Sequence, residues 1–366
     1  MRRILLSMMA AVTLILTCGY APAAELKVAD VIKEVEVNGF VSTGYNFNFN
    51  EPSSDAINFR PFQGDDNSFA LELAQLAFHK DAAEAGSAGF MLDLNFGYTV
   101  PKNIHSTGFG GSDDFDIRQG YISYVAPAGS GLKLDFGKFI TELGAEVIEG
   151  YQGWNNNYSR SLLFYYSIPF THTGLRASYA VNDRLTLVGE VVNGWDNVTD
   201  NNDAKSWHIH AAIKPVDGTT VNVKYMGGAE QDDDTANLRH LLNINLSTSV
   251  SNLELGFDYI YGTEENVPGL GDSTWTGIAA VLRYPYTDRF SMNLRAEYFD
   301  DDEGARTGTK QEMWELTLTP EYIVNDNLVV RAEYRHDQSD ANVFDKDTLA
   351  QVNNQDTLGL NVIYHF

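Results

Sequence analysis

One cysteine, Cys18, and ten prolines are all that 366 residues contain of those two types, and basic side chains number 25 against 50 acidic ones. A lone cysteine excludes an internal disulfide framework. It also lies in a segment where Arg2 and Arg3 precede an apolar run from Ile4 to Leu16, followed by Ala21-Pro22-Ala23. That is the pattern of a secretory signal covering residues 1–23. Its removal leaves no thiolate for metal binding or nucleophilic attack, and Thr17 stands where lipid attachment at Cys18 would want Ala or Gly. The apolar run is shorter than the roughly 20 residues a bilayer-crossing helix needs, and no helical span follows it. Scarcity of Lys and Arg excludes nucleic acid as a partner, because phosphate neutralisation needs clustered basic groups.

Catalytic and cofactor signatures are missing as well. There is no Gly-x-Ser-x-Gly elbow and no phosphate-binding glycine loop, so neither an enzyme nor a cofactor is expected. His208 and His210 stand two apart without an evident third ligand, fewer than a metal site requires. Asp196 to Asp203 lacks the Gly and terminal Glu of a calcium loop.

Aromatic residues and period-two alternation are what the chain does have: 19 Tyr, 20 Phe and 5 Trp. Phe90, Leu92, Leu94, Phe96 and Tyr98 alternate with Met91, Asp93, Asn95 and Gly97, and Leu358, Leu360, Val362, Tyr364 and Phe366 share one face at the C-terminus. Such alternation marks strands with one apolar and one polar face. About sixteen segments show it: 37–49, 68–80, 88–100, 115–125, 132–138, 172–180, 184–193, 207–214, 219–226, 238–247, 253–262, 275–284, 290–299, 312–320, 328–336 and 356–366. Segment 68–80 slips phase between Leu73 and Leu76. Short and long connections take turns, the long ones being 50–67, 101–114, 139–171, 194–206, 227–237, 263–274, 300–311 and 337–355. Strand-end aromatics form two bands, Tyr225, Tyr259, Tyr298 and Tyr334 in one, Tyr124, Tyr179, Tyr284 and Tyr364 in the other. A soluble sandwich would alternate too, but gives no reason for two aromatic bands. The reading is therefore all-β: a transmembrane antiparallel barrel of about 16 strands, one domain over 24–366, with short periplasmic turns and long external loops.

Inward positions carry both charges, with Arg176, Arg295, Glu297, Arg331 and Glu333 on the lumen wall. The segment Leu294-Arg295-Ala296-Glu297-Tyr298 recurs as Val330-Arg331-Ala332-Glu333-Tyr334, each placing Arg and Glu where they could pair in a ladder. Connection 139–171 is the longest, and an infolded loop is the natural way to narrow a barrel of this size. Its Glu142, Glu146, Glu149 and Arg160 are the candidate constriction and selectivity residues, as acids facing a base across a gap. Its Tyr151, Trp154, Tyr158, Phe164, Tyr165 and Tyr166 would pin the loop to the wall or offer stacking faces to sugars. Ser159 to Ser167 could form a short helix. Acidic runs such as Asp232-Asp233-Asp234 and Asp300-Asp301-Asp302-Glu303 are solvated surface, a local field that attracts cations, or bridges through divalent ions to anionic lipid.

Several of these stretches carry a resemblance: Gly137-Lys138-Phe139, Gly144-Ala145-Glu146-Val147-Ile148-Glu149, Asn157-Tyr158-Ser159-Arg160-Ser161, Pro169-Phe170-Thr171-His172-Thr173-Gly174 and Asn193-Gly194-Trp195-Asp196. With them the chain resembles the β-barrel porins described as OmpL-like. The resemblance implies a pore in the outer membrane, assigns no catalytic residue and leaves the solute open. Phe366 resembles the terminal assembly signal of outer-membrane proteins, which implies the barrel-assembly machinery as a partner. Membrane lipids, lipopolysaccharide and small hydrophilic solutes are the other partners expected, and a homotrimer by analogy. The main expectation is passive diffusion of ions and small polar solutes. The alternatives are a sugar-selective channel and a non-conducting structural or binding barrel.

Overall fold

A computed structural model describes residues 34–100, 115–347 and 350–366. The expected signal segment and Cys18 lie outside the described residues. The strands are β1 (Glu36–Asn48), β2 (Ser68–Lys80), β3 (Ala88–Phe96), β4 (Phe115–Ala126), β5 (Leu132–Ile140), β6 (Thr171–Asn182), β7 (Leu185–Val192), β8 (Ser206–Ile213), β9 (Thr219–Ala229), β10 (Leu238–Val250), β11 (Leu253–Val267), β12 (Gly271–Pro285), β13 (Phe290–Asp301), β14 (Gln311–Asn325), β15 (Leu328–Ser339), β16 (Phe344–Lys346), β17 (Ala350–Val352) and β18 (Asn354–His365). Sixteen of them, β1 to β15 and β18, close into one antiparallel barrel, and β16 and β17 form a separate hairpin within the last long connection. Closure matters because lipid offers no hydrogen bonds, so a membrane sheet must have no free edge. The seam is β1 against β18, from Phe40 opposite His365 to Asn48 opposite Thr357.

Burial is inverted relative to a soluble protein. In β14, Trp314, Leu316, Leu318 and Tyr322 are 40 to 46 % exposed, while Glu315, Thr317, Thr319 and Glu321 between them are buried. Apolar residues face outward because lipid is their solvent, and polar ones face a lumen that other polar groups fill. Among the described residues no helix is long and apolar enough to cross a membrane. The largest apolar cluster sits inside the barrel, with Phe62, Leu143, Leu162, Leu163, Phe164 and Ile168 at its centre.

Among the register shifts between the described strands, two bulges re-aim charged side chains. In β2, Ser42 pairs with Leu73 and Thr43 with Leu71, so Glu72 is the extra residue, which accounts for the phase slip in that segment. In β4, Asp93 pairs with Gln119 and Leu94 with Ile117, so Arg118 is extra. A bulge re-aims a side chain, and both extra side chains are buried on the lumen side.

One expectation needs correction. Segment 263–274 is not a long loop: β11 and β12 run to Val267 and from Gly271, leaving three residues between them. Above the membrane both faces of a hairpin meet water, so the apolar half of the alternation that reveals a strand is lost there. On the lipid face, Leu318→Arg should destabilise the barrel by about 2–4 kcal/mol, the cost of a cation near the bilayer midplane. Urea titration of the protein folded into vesicles checks this, and an unchanged midpoint would contradict a lipid-facing Leu318.

Candidate functional site

Between β5 and β6 the chain crosses the lumen and is hydrogen-bonded to it on several sides. Near its start, Lys224 Nζ of β9 donates to the Gly144 carbonyl (2.8 Å), the Gly144 N–H donates to Asn243 Oδ1 of β10 (2.9 Å), and the Ala145 N–H donates to Asp258 Oδ2 of β11 (3.1 Å). One peptide unit is thus gripped by a cation on its carbonyl and a carboxylate on its N–H. Farther on, Arg118 donates to the carbonyls of Ile148 and Glu149 (both 2.9 Å), and the Tyr151 N–H donates to Gln75 Oε1 (2.7 Å).

The third anchorage uses the repeated Arg-x-Glu segments of β13 and β15. Arg295 donates to the Ser159 carbonyl (2.6 Å), Arg331 to the Asn155 carbonyl (2.7 Å) and Arg335 to the Arg160 carbonyl (2.6 Å). Glu333 accepts from the N–H groups of Tyr158 (2.7 Å) and Ser159 (3.0 Å), and Glu297 from those of Leu162 (2.5 Å) and Leu163 (3.2 Å). The two cassettes do not pair internally, as the ladder reading had it. Each arginine takes loop carbonyls and each glutamate takes loop amides, because an irregular backbone inside a barrel must find partners for both. A short helix, α1 (Leu162–Tyr166), follows, with the Ser161 hydroxyl accepting from the Phe164 N–H (3.0 Å) at its N-cap.

Loop acids are spent on ion pairs. Glu146 meets Arg295 at 2.7 Å, and Glu149 meets both Arg331 (3.0 Å) and Arg160 (2.9 Å). Glu142 contacts His210 at 2.6 Å and Arg176 at 3.8 Å. Arg160 therefore stands beside Glu149 on the same loop, not across a gap from it. The side chain of Glu142 stays 26 % exposed, against 12 % for Glu146 and 6 % for Glu149. Glu142 is thus the most exposed of the three. Burial penalises the Glu149 carboxylate, but Arg160 and Arg331 outweigh that and hold its pKa below the usual carboxylate range. Burial likewise opposes ionisation of Glu142, and His210 and Arg176 bring its pKa down.

Of the aromatic side chains of the loop, Tyr158, Phe164 and Tyr165 are buried and Tyr151, Trp154 and Tyr166 partly buried, against the wall and the first external loop. Tyr158 donates to Glu72 and accepts from Asn46 (2.9 Å), Trp154 Nε1 donates to Glu321 (3.3 Å), and Tyr165 stacks on Phe62 at 5.6 Å and donates to Gln63 (2.7 Å). Against the underside of the loop lies a cavity of about 550 Å³, lined in part by Glu142, Gly144, Asn222, Lys224, Asn245 and Asp258. His208 meets Glu190 at 3.1 Å and His210 meets Glu142. Among the described residues no three His, Cys, Asp or Glu side chains gather as a metal site would require.

Sequence reasoning overlooked Arg118 and Glu315. Arg118 is out of phase with Tyr121 and Ser123 because the bulge falls at it. Glu315 alternates plainly with Trp314 and Leu316, so its signal was present; it binds Arg295 at 2.6 Å. Glu149→Gln should leave Arg160 and Arg331 crowded without a counter-charge and cost roughly 3–5 kcal/mol, the scale for breaking a buried pair. Because the folded Glu149 pKa is lowered, its stabilisation is present above the unfolded value, about 4.3, and is lost as pH falls through the folded value. Hydrogen exchange at 148–160 in the wild type should accelerate only below about pH 4; in Glu149→Gln it should be fast at pH 7.

A family model described as putative beta-barrel porin-2, OmpL-like, matches residues 34–366. No curated protein matches the chain. Among solved structures, the high-pH structure of OprB of Pseudomonas putida superposes with a TM-score of 0.62 at 11% identity, covering 92% of this chain and 95% of that one. The anion-selective porin from Comamonas acidovorans gives 0.60 at 10% identity, covering 91% and 99%. OmpT of Vibrio cholerae in a trimer form gives 0.60 at 14% identity, covering 91% and 99%. At these identities the likeness is one of fold.

Proposed function

Because the chain belongs to the OmpL-like β-barrel porin family, and is thus an outer-membrane porin, we propose that it passes ions and small polar solutes by diffusion through a lumen narrowed by residues 139–171. The observation that carries this reading is the anchorage of that connection to β2, β4, β9 to β11, β13 and β15, which leaves a cavity beside Glu142, Lys224 and Asp258. Solutes pass along that side, where the wall offers Asn222 and Asn245 as hydrogen-bonding groups. Glu146, Glu149 and Arg160 act by holding the loop, and so do Arg295, Glu297, Arg331 and Glu333. Glu142, steadied by Arg176 and His210, faces the passage and favours cations.

A sugar-selective channel is the weaker reading, because Tyr158, Phe164 and Tyr165 are nearly fully buried and their rings are closed to a sugar. The outward aromatics meet membrane lipids, and the acidic external loops meet lipopolysaccharide through divalent ions. Phe366 is the recognition end for the barrel-assembly machinery. The trimer form of the Vibrio cholerae protein supports a homotrimer here.

Deleting residues 142–166 should raise single-channel conductance in a planar bilayer, and an unchanged value would refute the constriction. Across a salt gradient, the reversal potential should favour cations and move toward chloride in Glu142→Gln. A wild-type preference for chloride would overturn the assignment of Glu142.

A further inference from the structure

The barrel seam and the lumen loop meet at one side chain. On β1 and β18, Gly44 lies opposite Asn361 and Gly359 opposite Asn46, so two glycines lie diagonally across the strand pair that closes the barrel. A Cβ on Gly44 would stand 2.2 Å from the Tyr158 hydroxyl, and one on Gly359 would stand 2.8 Å from the Tyr158 ring. The glycines therefore form a slot that Tyr158 of the loop fills, 1 % exposed.

The hydroxyl end of the slot is a closed network. Tyr158 donates to Glu72, the bulge residue of β2, and accepts from Asn46 of β1. Glu72 also accepts from Ser42 of β1 (2.8 Å) and Asn361 of β18 (3.1 Å), and Asn361 donates to Ser42 as well (2.8 Å). The Arg331 guanidinium lies over the ring, 5.8 Å from its centroid. Three strands and the loop are thus joined through one phenol. Lateral opening at β1 and β18 would cut the buried Asn361 amide from Ser42 and Glu72 and uncover the Tyr158 ring beside Gly359, which is costly without water or a partner.

We infer that Tyr158 is a positioning residue that couples pore calibre to barrel closure: seated across the seam, it fixes the lumen loop and locks β1 to β18 at once. The inference rests on the reading of residues 139–171 as the constriction. Loss of the ring releases both the loop and the seam, whereas Tyr158→Phe keeps the slot filled and loses only the bonds to Glu72 and Asn46.

The test compares wild type, Tyr158→Ala, Tyr158→Phe and Gly359→Ala by planar-bilayer recording and by the temperature at which the folded band converts on electrophoresis. Tyr158→Ala should shorten the dwell time of the main open level roughly tenfold, as loss of a buried hydrogen-bonded anchor would. It should lower the conversion temperature by roughly 2–4 °C or more. Tyr158→Phe should fall between it and wild type, and Gly359→Ala should resemble Tyr158→Ala by displacing the ring. A disulfide from the pair Thr43→Cys and Val362→Cys, which face each other across the seam, should restore the conversion temperature of Tyr158→Ala but not its dwell time. One from Ile244→Cys and Tyr259→Cys, paired far from the seam, should restore neither. Wild-type behaviour of Tyr158→Ala in both measurements, or equal rescue by the two disulfides, would overturn the inference; if Tyr158→Ala does not fold, wild-type behaviour of Tyr158→Phe does so. Absence of open current in the wild type would defeat the porin reading instead, and the conversion temperatures would still decide the seam lock.

Discussion

Three arginines fully buried in the lumen wall, Arg295, Arg331 and Arg335, are the constraint from which the interior follows. Each presents five N–H donors in a fixed fork and no acceptor, and on the inner face of a barrel they cannot turn to lipid. Wall carboxylates take part of that demand, Glu315 beside Arg295 and Asp337 beside Arg335. The carbonyls of Asn155, Ser159 and Arg160 take another part. The same wall supplies Glu297 and Glu333 for the loop amides. An irregular segment at membrane depth is tolerable only when its backbone is satisfied in this way.

Side-chain charge and backbone polarity thus solve each other's problem, and that reciprocity shapes the passage. Where the loop is held by arginines and glutamates, on the β13 to β15 side, its acids are neutralised and its aromatics are buried. Where it is held by a single lysine, an asparagine and an aspartate, on the β9 to β11 side, a cavity remains. Charge is consumed where the loop is tight and left available where it is loose, so Glu142 keeps the exposure that Glu149 lacks.

Much of the fold was legible because the membrane enforces it locally. Lipid on one face and water on the other write a period of two into every strand, and Trp314, Leu316 and Leu318 against Glu315, Thr317 and Thr319 show it without reference to any partner. The strands within the membrane band could be placed for the same reason, and the extensions of β11 and β12 above it could not. The contacts of the loop were beyond local pattern. That Tyr158 meets Gly44 and Gly359 depends on the first and last strands being neighbours, which only closure decides. That Arg118 and Glu72 face inward depends on bulges, each of which shifts the phase by one residue. The repeated Arg-x-Glu segments stood out in the sequence, but their partners are backbone groups of residues 155–163, and sequence carries no mark for those.

A folded barrel with so much of its lumen bridged by its own chain must still conduct if it is an open pore. Planar-bilayer recording of the purified, heat-modifiable protein tests it most directly. An open pore gives discrete steps of open current that scale with salt concentration and vanish when the sample is boiled. A correctly folded protein that inserts and gives no steps would contradict it.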